Sequence, residues 1–233
     1  MTNQNEEQSP QKTPTLPMIA VLGGVAMLSG FLVVLVFQLT KPYIAENQWR
    51  ATQEAVSKVI PDAVVQKQFL IADGEISPFD KDKKGLSIFA GYDAGGALLG
   101  IAAPANAQGY ADMITLLYGY DHTCECIRGI RILKMAETPG LGDMIKLDPQ
   151  FQKNFVRLDA SLNKEGSALK NPIVTVKHGA KKNNWEIDAI SGATISSRAV
   201  GKALNKSAQM LLPKLRPHLP TLRSGQPDLA KIK

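Results

Sequence analysis

From residue 16 to 37 the chain reads LPMIAVLGGVAMLSGFLVVLVF, 22 positions without a charge. At 1.5 Å per residue a helix of that length reaches roughly 33 Å, enough to cross a hydrocarbon core of about 30 Å. The apolar part of a secretory signal is shorter, about 7–15 residues, and no clean small-x-small cleavage site precedes Lys41. A buried helix of a soluble domain is rarely apolar on every side for so long. The pattern predicts a transmembrane helix over 16–38. The polar residues ahead of it, 1–15, are expected to be disordered.

Past the span the periodicity changes. In YIAENQWRATQEAVSKVI (43–60), Ile44, Ala45, Ala55, Val56, Val59 and Ile60 alternate with charges at helical spacing. This predicts an amphipathic helix ending before Pro61. GLSIFAGYD (85–93) and ALLGIAAPA (97–105) flank Ala94-Gly95-Gly96 and read as a hairpin. ADMITLLYGYD (111–121) and CIRGIRILKM (126–135) form a second pair. The mixed alternation of the last run predicts a twisted antiparallel sheet with one face covered by helix. After the loop ETPGLGD (137–143), a helix is expected near 148–157 and a strand at IVTVK (173–177). Val200, Ala203, Leu204, Ala208, Leu211 and Leu212 then repeat at helical spacing up to Pro213, read as the stop. The expected organisation is a domain over 41–213 and a flexible basic tail over 214–233. The fold class is α+β, with a single N-terminal transmembrane helix ahead of the domain.

Composition adds limits. The 233 residues are 44% hydrophobic and 21% charged, with net charge +6. That leaves one ordinary domain beyond the anchor. Much of the excess charge lies in Lys214, Arg216, Arg223, Lys231 and Lys233. No zinc-finger spacing, basic helix or aromatic-basic interleaving accompanies it, so nucleic acid is not an expected partner. Lys12 before the span and Lys41 and Arg50 after it do not decide orientation. The three histidines, His122, His178 and His218, are too scattered for a helical zinc motif. The two cysteines, Cys124 and Cys126, make no disulfide framework. They read first as ordinary loop cysteines. A redox-active pair, or a metal or cluster shared with a partner or with His122, are the other readings.

The stretch with the most chemistry is DAISGATISSRAV (188–200), where a helix begins after a run of small residues. The simplest account is a turn with Asp188, Ser191 or Thr194 as helix cap. A helix N-terminus also presents free N–H groups and suits a phosphate. No Walker or G-x-G-x-x-G pattern is present, and no histidine lies nearby to activate Thr194 as a nucleophile.

The set D-x-x-S-G-A-T, ETPGLG about fifty residues upstream, and a single N-terminal span resembles the FMN-binding subunits of ion-translocating membrane oxidoreductases. The G subunit of the Rnf electron transport complex is the nearer likeness, and the C subunit of the Na+-translocating NADH:quinone reductase is its sister. The resemblance runs from the anchor to the final helix. It implies FMN held by a phosphoester to the last hydroxyl of S-G-A-T, here Thr194, and attached by a flavin transferase that uses FAD. Asp188, Ser191, Gly192 and Ala193 match the motif that the transferase reads. Glu137, Thr138, Pro139, Gly140, Leu141 and Gly142 match a loop near the flavin. From the residues alone, Glu137 reads as a surface carboxylate and Gly140 and Gly142 as turn glycines. The resemblance further implies an FMN-binding domain outside the cytoplasm, anchored in the lipid bilayer of the cell inner membrane and partnered by other membrane subunits. It implies an electron carrier rather than a stand-alone catalyst. Cys124-Glu125-Cys126 departs from the family pattern. The alternatives are a C subunit of the quinone reductase, a tethered binding domain without flavin, and a stand-alone flavin reductase.

Overall fold

The computed structural model describes residues 15–72, 74–80 and 82–224. The expectation of disorder falls largely on residues 1–14, outside the described residues, as does the tail beyond 224. The chain divides into two units, one through Trp49 and one from Arg50 onward.

The first helix, α1 (Thr15–Val59), is continuous through Pro42. Proline there removes one backbone hydrogen bond, yet the helix runs on to Val59. Among the described residues, α1 is the one helix long and apolar enough to cross a membrane.

The second unit is built on seven strands: β1 (Val65–Ala72), β2 (Glu75–Pro78), β3 (Leu86–Tyr92), β4 (Leu98–Gln108), β5 (Met113–Asp121), β6 (Cys126–Lys134) and β7 (Leu158–Asp159). They form one antiparallel sheet in the order β2-β1-β3-β4-β5-β6-β7. Both hairpins expected from alternation are present. Two short helices, α2 (Met144–Leu147) and α3 (Pro149–Lys153), follow β6. The helix expected near 148–157 is thus only five residues long. Strands β8 (Val174–Val176) and β9 (Glu186–Asp188) pair in parallel and lead into α4 (Thr194–Leu215).

Period-two alternation sends Ile88, Ala90, Ile101, Ala103, Leu116 and Tyr118 to one face, where they meet Val200, Ala203, Leu204 and Ala208 of α4. The other face is covered as well, which corrects the one-face expectation. Phe89, Ala102 and Leu117 pack against Ala55, Val56, Val59 and Ile60 at the end of α1. Room for that contact comes from glycine. Gly91 pairs with Gly100 and Gly119 with Gly129 across neighbouring strands. A Cβ at Gly91 or Gly100 would crowd Ile60, and one at Gly119 would collide with the Val59 carbonyl oxygen. Because the obstacle at Gly119 is backbone, it cannot swing aside. Gly119→Ala is expected to cost at least the roughly 1–3 kcal/mol typical of overpacking, read as a lowered urea midpoint of the detergent-solubilised chain. An unchanged midpoint would mean that the last turns of α1 do not dock here.

Pro213 does not stop the last helix. It lies inside α4, and a 3-10 turn (Arg216–His218) and α5 (Leu219–Arg223) continue the chain. Leu211, Leu215 and Leu222 are all buried, so residues 214–224 are packed against the core rather than forming a flexible tail.

Candidate cofactor site

Strand β9 delivers the chain into a turn whose conformation only a few residues tolerate. Gly192 sits at φ +83, the left-handed region that side chains with a Cβ disfavour. Ala193 N–H closes the turn on Ile190 O at 3.1 Å. Ser197, fully buried, stitches the turn to the helix: its hydroxyl accepts from Ile190 N–H at 3.1 Å and donates to Ala193 O at 2.9 Å.

Helix α4 then begins at Thr194. Its N-cap is Ala193, and no side chain caps it. The expected caps are therefore absent: Thr194 is the first helical residue, and the Asp188 carboxylate turns elsewhere. The N–H groups of Thr194, Ile195 and Ser196 have no partner within the helix. The first turn itself carries no acidic residue; the negative charge nearest to it comes from outside the helix, through the carboxylate bonded to the Ser196 hydroxyl.

Opposite this turn stands the 137–143 loop, and Glu137 organises it. The residue is 7% exposed. Its carboxylate accepts from Tyr110 N–H at 3.2 Å and Ala111 N–H at 3.1 Å, and from the hydroxyl of buried Ser196. Burial pushes its pKa up, but the Ser196 hydroxyl and the backbone N–H groups of Ala111, Tyr110 and Asp112 outweigh that and hold it below the ordinary glutamate value. Glycines make the space. A Cβ at Gly109 would lie 2.5 Å from Glu137 Oε1, and one at Gly142 would lie 2.7 Å from Glu137 Cβ, Glu137 Oε2 and Ser196 Oγ. One carboxylate thus ties together the β4–β5 loop, the 137–143 loop and the first turn of α4. Glu137 is not the surface carboxylate that the residues alone suggest.

These three segments enclose an open cavity of about 410 Å³. Glu137, Thr138, Leu141, Gly142, Gly192, Ala193 and Thr194 all line it. Gly140, at φ +76, shapes the loop but does not line the cavity. Three apolar side chains on the lining stand largely in solvent: Tyr110 at 69%, Ile195 at 52% and Leu141 at 51%. Asp188 and Ser191 line a separate depression of about 290 Å³ beside Asp148, Asn154 and His178. There Asp188 Oδ1 accepts from Gly179 N–H at 2.7 Å, and Oδ2 lies 3.7 Å from His178 Nδ1.

The sequence pattern does not single out Tyr110, Ile195 or Ser196. Its signals there are weak: an exposed aromatic beside Gly109, and two residues following Thr194 in the same helical turn. The reading of the cysteines needs correction as well. Cys124 and Cys126 form a disulfide, so neither is a free loop cysteine or a thiolate ligand. Among the described residues, no group of three or more His, Cys, Asp or Glu could hold a metal.

Residues 109–209, which contain both walls of the cavity, match the model of the FMN-binding domain family. The chain is 32% identical over 194 residues to the G subunit of the ion-translocating oxidoreductase complex of Methanosarcina acetivorans, covering 82% of this chain and 90% of that one. The chain belongs to this G-subunit family. The protein of the same name from Aliivibrio fischeri is 30% identical over 195 residues, covering 80% of this chain and 85% of that protein. Solved structures share the fold. NqrC of Shewanella oneidensis superposes with TM-score 0.55 at 19% identity, over 72% of this chain and 88% of that one. The C subunit of the Na+-translocating NADH-quinone reductase of Parabacteroides distasonis gives 0.51 at 21% identity, over 66% and 76%. At such identities the likeness to the C subunits is one of fold, whereas sequence similarity places this chain with the G subunits.

Proposed function

We propose that this protein relays electrons through FMN whose phosphate is esterified to Thr194. Family membership, the FMN-binding domain and α1 make the chain a membrane-associated FMN flavoprotein component of an ion-translocating oxidoreductase complex. The observation that carries the finer reading is the position of Thr194. It opens α4 on the cavity wall, beside N–H groups free of helical partners.

The donor set fits the cofactor. The Thr194 hydroxyl supplies the ester oxygen, and the first-turn N–H groups offer donors to a phosphate. Gly192, without a side chain, leaves the backbone open to close approach. Tyr110, Leu141 and Ile195 offer apolar surface for the flavin ring. Glu137 is a positioning residue, since its hydrogen bonds hold the three segments that form the site. When bound, FMN supplies one- or two-electron chemistry. A covalent tether keeps it in place while the open cavity faces a partner, which suits a relay. Attachment by a flavin transferase with FAD as donor belongs to this reading.

Residues 16–37 contain no Asp, Glu, Lys or Arg, so this span offers no charged path for an ion. Ion movement falls to other membrane subunits. In rapid mixing of the purified complex, the flavin on this chain should be reduced by the electron donor of the complex and reoxidised by its acceptor. The isolated chain should show no steady turnover with a soluble donor. Such turnover would favour a stand-alone reductase.

The same reading places the domain outside the cytoplasm, with α1 anchored in the cell inner membrane. The Cys124–Cys126 disulfide supports it, because disulfides persist in oxidising compartments. A cysteine at exposed Lys164 (Lys164→Cys in a Cys124→Ser/Cys126→Ser chain) should react with an impermeant maleimide in intact spheroplasts. Labelling only after lysis would reverse the orientation.

A further inference from the structure

The tip of the β5–β6 hairpin carries chemistry that the flavin reading does not use. Cys124 and Cys126 are bonded across a single intervening residue, with Cα atoms 5.2 Å apart. That residue, Glu125, is held at φ +50, a left-handed conformation that a residue with a Cβ adopts at a cost.

The bridge is poorly placed to be a staple. A disulfide stabilises by restricting the unfolded chain, and the effect shrinks with the loop it closes. Here that loop is about as short as a disulfide allows. The hairpin is also secured without it. Asp121 accepts from Thr123 N–H at 2.8 Å and from the Thr123 hydroxyl at 2.6 Å, and pairs with Arg128 at 3.1 Å. Cys126 sits in the ladder between Asp121 and Asp159, and Ala160 N–H donates to Glu125 O at 3.0 Å.

The two sulfurs differ in access. Cys126 is 2% exposed, whereas Cys124 is only partly buried. By residue exposure, Cys124 is the side on which an incoming thiolate would approach. The tip also lies at the far end of β5 from the cavity loop. The nine residues of β5 span about 26 Å at 3.3 Å per residue, so the bridge and the cavity loop stand at opposite ends of this strand.

We propose that Cys124–Cys126 is a thiol–disulfide exchange site, whose substrate is an accessible dithiol of the Cys-x-x-Cys protein class. The partner thiolate attacks Cys124 Sγ, the Cys124–Cys126 bond breaks, and Cys126 leaves as a thiolate that takes a proton. The second thiolate of the partner then attacks the mixed disulfide, frees Cys124 and leaves the partner oxidised. Two electrons pass from the partner to the cysteine pair.

The test uses the full chain in detergent, with dithiothreitol as the probe dithiol and a maleimide mass tag after acid quench. The expected result is two tags per native chain, with near-ultraviolet circular dichroism unchanged, at a rate within about tenfold of the urea-unfolded chain. Tags that appear only on unfolding, or two free thiols in protein isolated without reductant, would overturn the proposal. Single-cysteine chains locate the attack. With dithiobis(nitrobenzoic acid), Cys126→Ser, which keeps Cys124, should react at least about tenfold faster than Cys124→Ser. Equal or reversed rates would refute attack at Cys124. If either variant fails to fold, the wild-type tagging result still decides.

Discussion

Thr194→Val removes covalently bound flavin completely and leaves the domain folded. Valine keeps the β-branched shape and has similar helix propensity, so the first turn of α4 retains its geometry. Among the described residues the Thr194 hydroxyl takes part in no hydrogen bond, so its loss orphans no partner. The position is partly exposed, where substitutions away from special features typically change stability by about 0.5 kcal/mol or less. What disappears is the one oxygen on which the proposed ester depends. The readout is flavin fluorescence in a denaturing gel, for protein produced together with a flavin transferase, alongside a thermal unfolding curve. A fluorescent Thr194→Val band would refute the attachment site. A colourless but unfolded variant would instead show that the hydroxyl holds the turn.

The second large effect is at Glu137. Glu137→Leu leaves the N–H groups of Tyr110 and Ala111 and the hydroxyl of Ser196 without their acceptor. A buried donor left unpaired costs about 1–3 kcal/mol. Of the three, Ser196 is buried while Tyr110 and Ala111 are exposed and can turn to water, so the expected loss is about 1–3 kcal/mol, with poor flavin loading, since the site walls part. Gly142→Ala attacks the same junction from the other side, where its Cβ would meet three atoms at 2.7 Å, and should lower the urea midpoint as well. The pH dependence has a definite sign. The carboxylate of folded Glu137 titrates below its ordinary value, so the folded state binds its proton less readily than the unfolded chain. Its contribution is complete above the ordinary glutamate value and is lost as the pH falls through the folded value. The midpoint gap between wild type and Glu137→Gln should narrow on acidification. A gap independent of pH would mean that the carboxylate is not held ionised by these contacts.

Much of this arrangement follows patterns that are local in the chain. The uncharged run over 16–37, the two hairpins and the apolar spacing of α4 each lie within one element, so periodicity reveals them. The start of α4 at Thr194 follows from the small-residue turn before it. The parts that stay hidden depend on distant partners. Glu137 looks like any loop carboxylate until Gly109 and Gly142 leave room for it and Ser196, 59 residues on, gives it a hydroxyl. Gly91, Gly100, Gly119 and Gly129 look like weak points of strands, yet they form the row that admits the end of α1. Pro213 reads as a terminator locally, while buried Leu215 and Leu222 continue the apolar spacing beyond it. Asp188 sits next to the turn in sequence, but alternation along β9 turns its carboxylate toward Gly179 and His178, away from the cavity.

Where the flavin is attached can be read from a single tryptic peptide, residues 183–198, in the mass spectrum of protein made with the transferase present. This peptide should gain the mass of one FMN less one water, and fragmentation should assign the gain to Thr194. An unmodified peptide, or an adduct on Ser191, Ser196 or Ser197, would contradict the proposed ester.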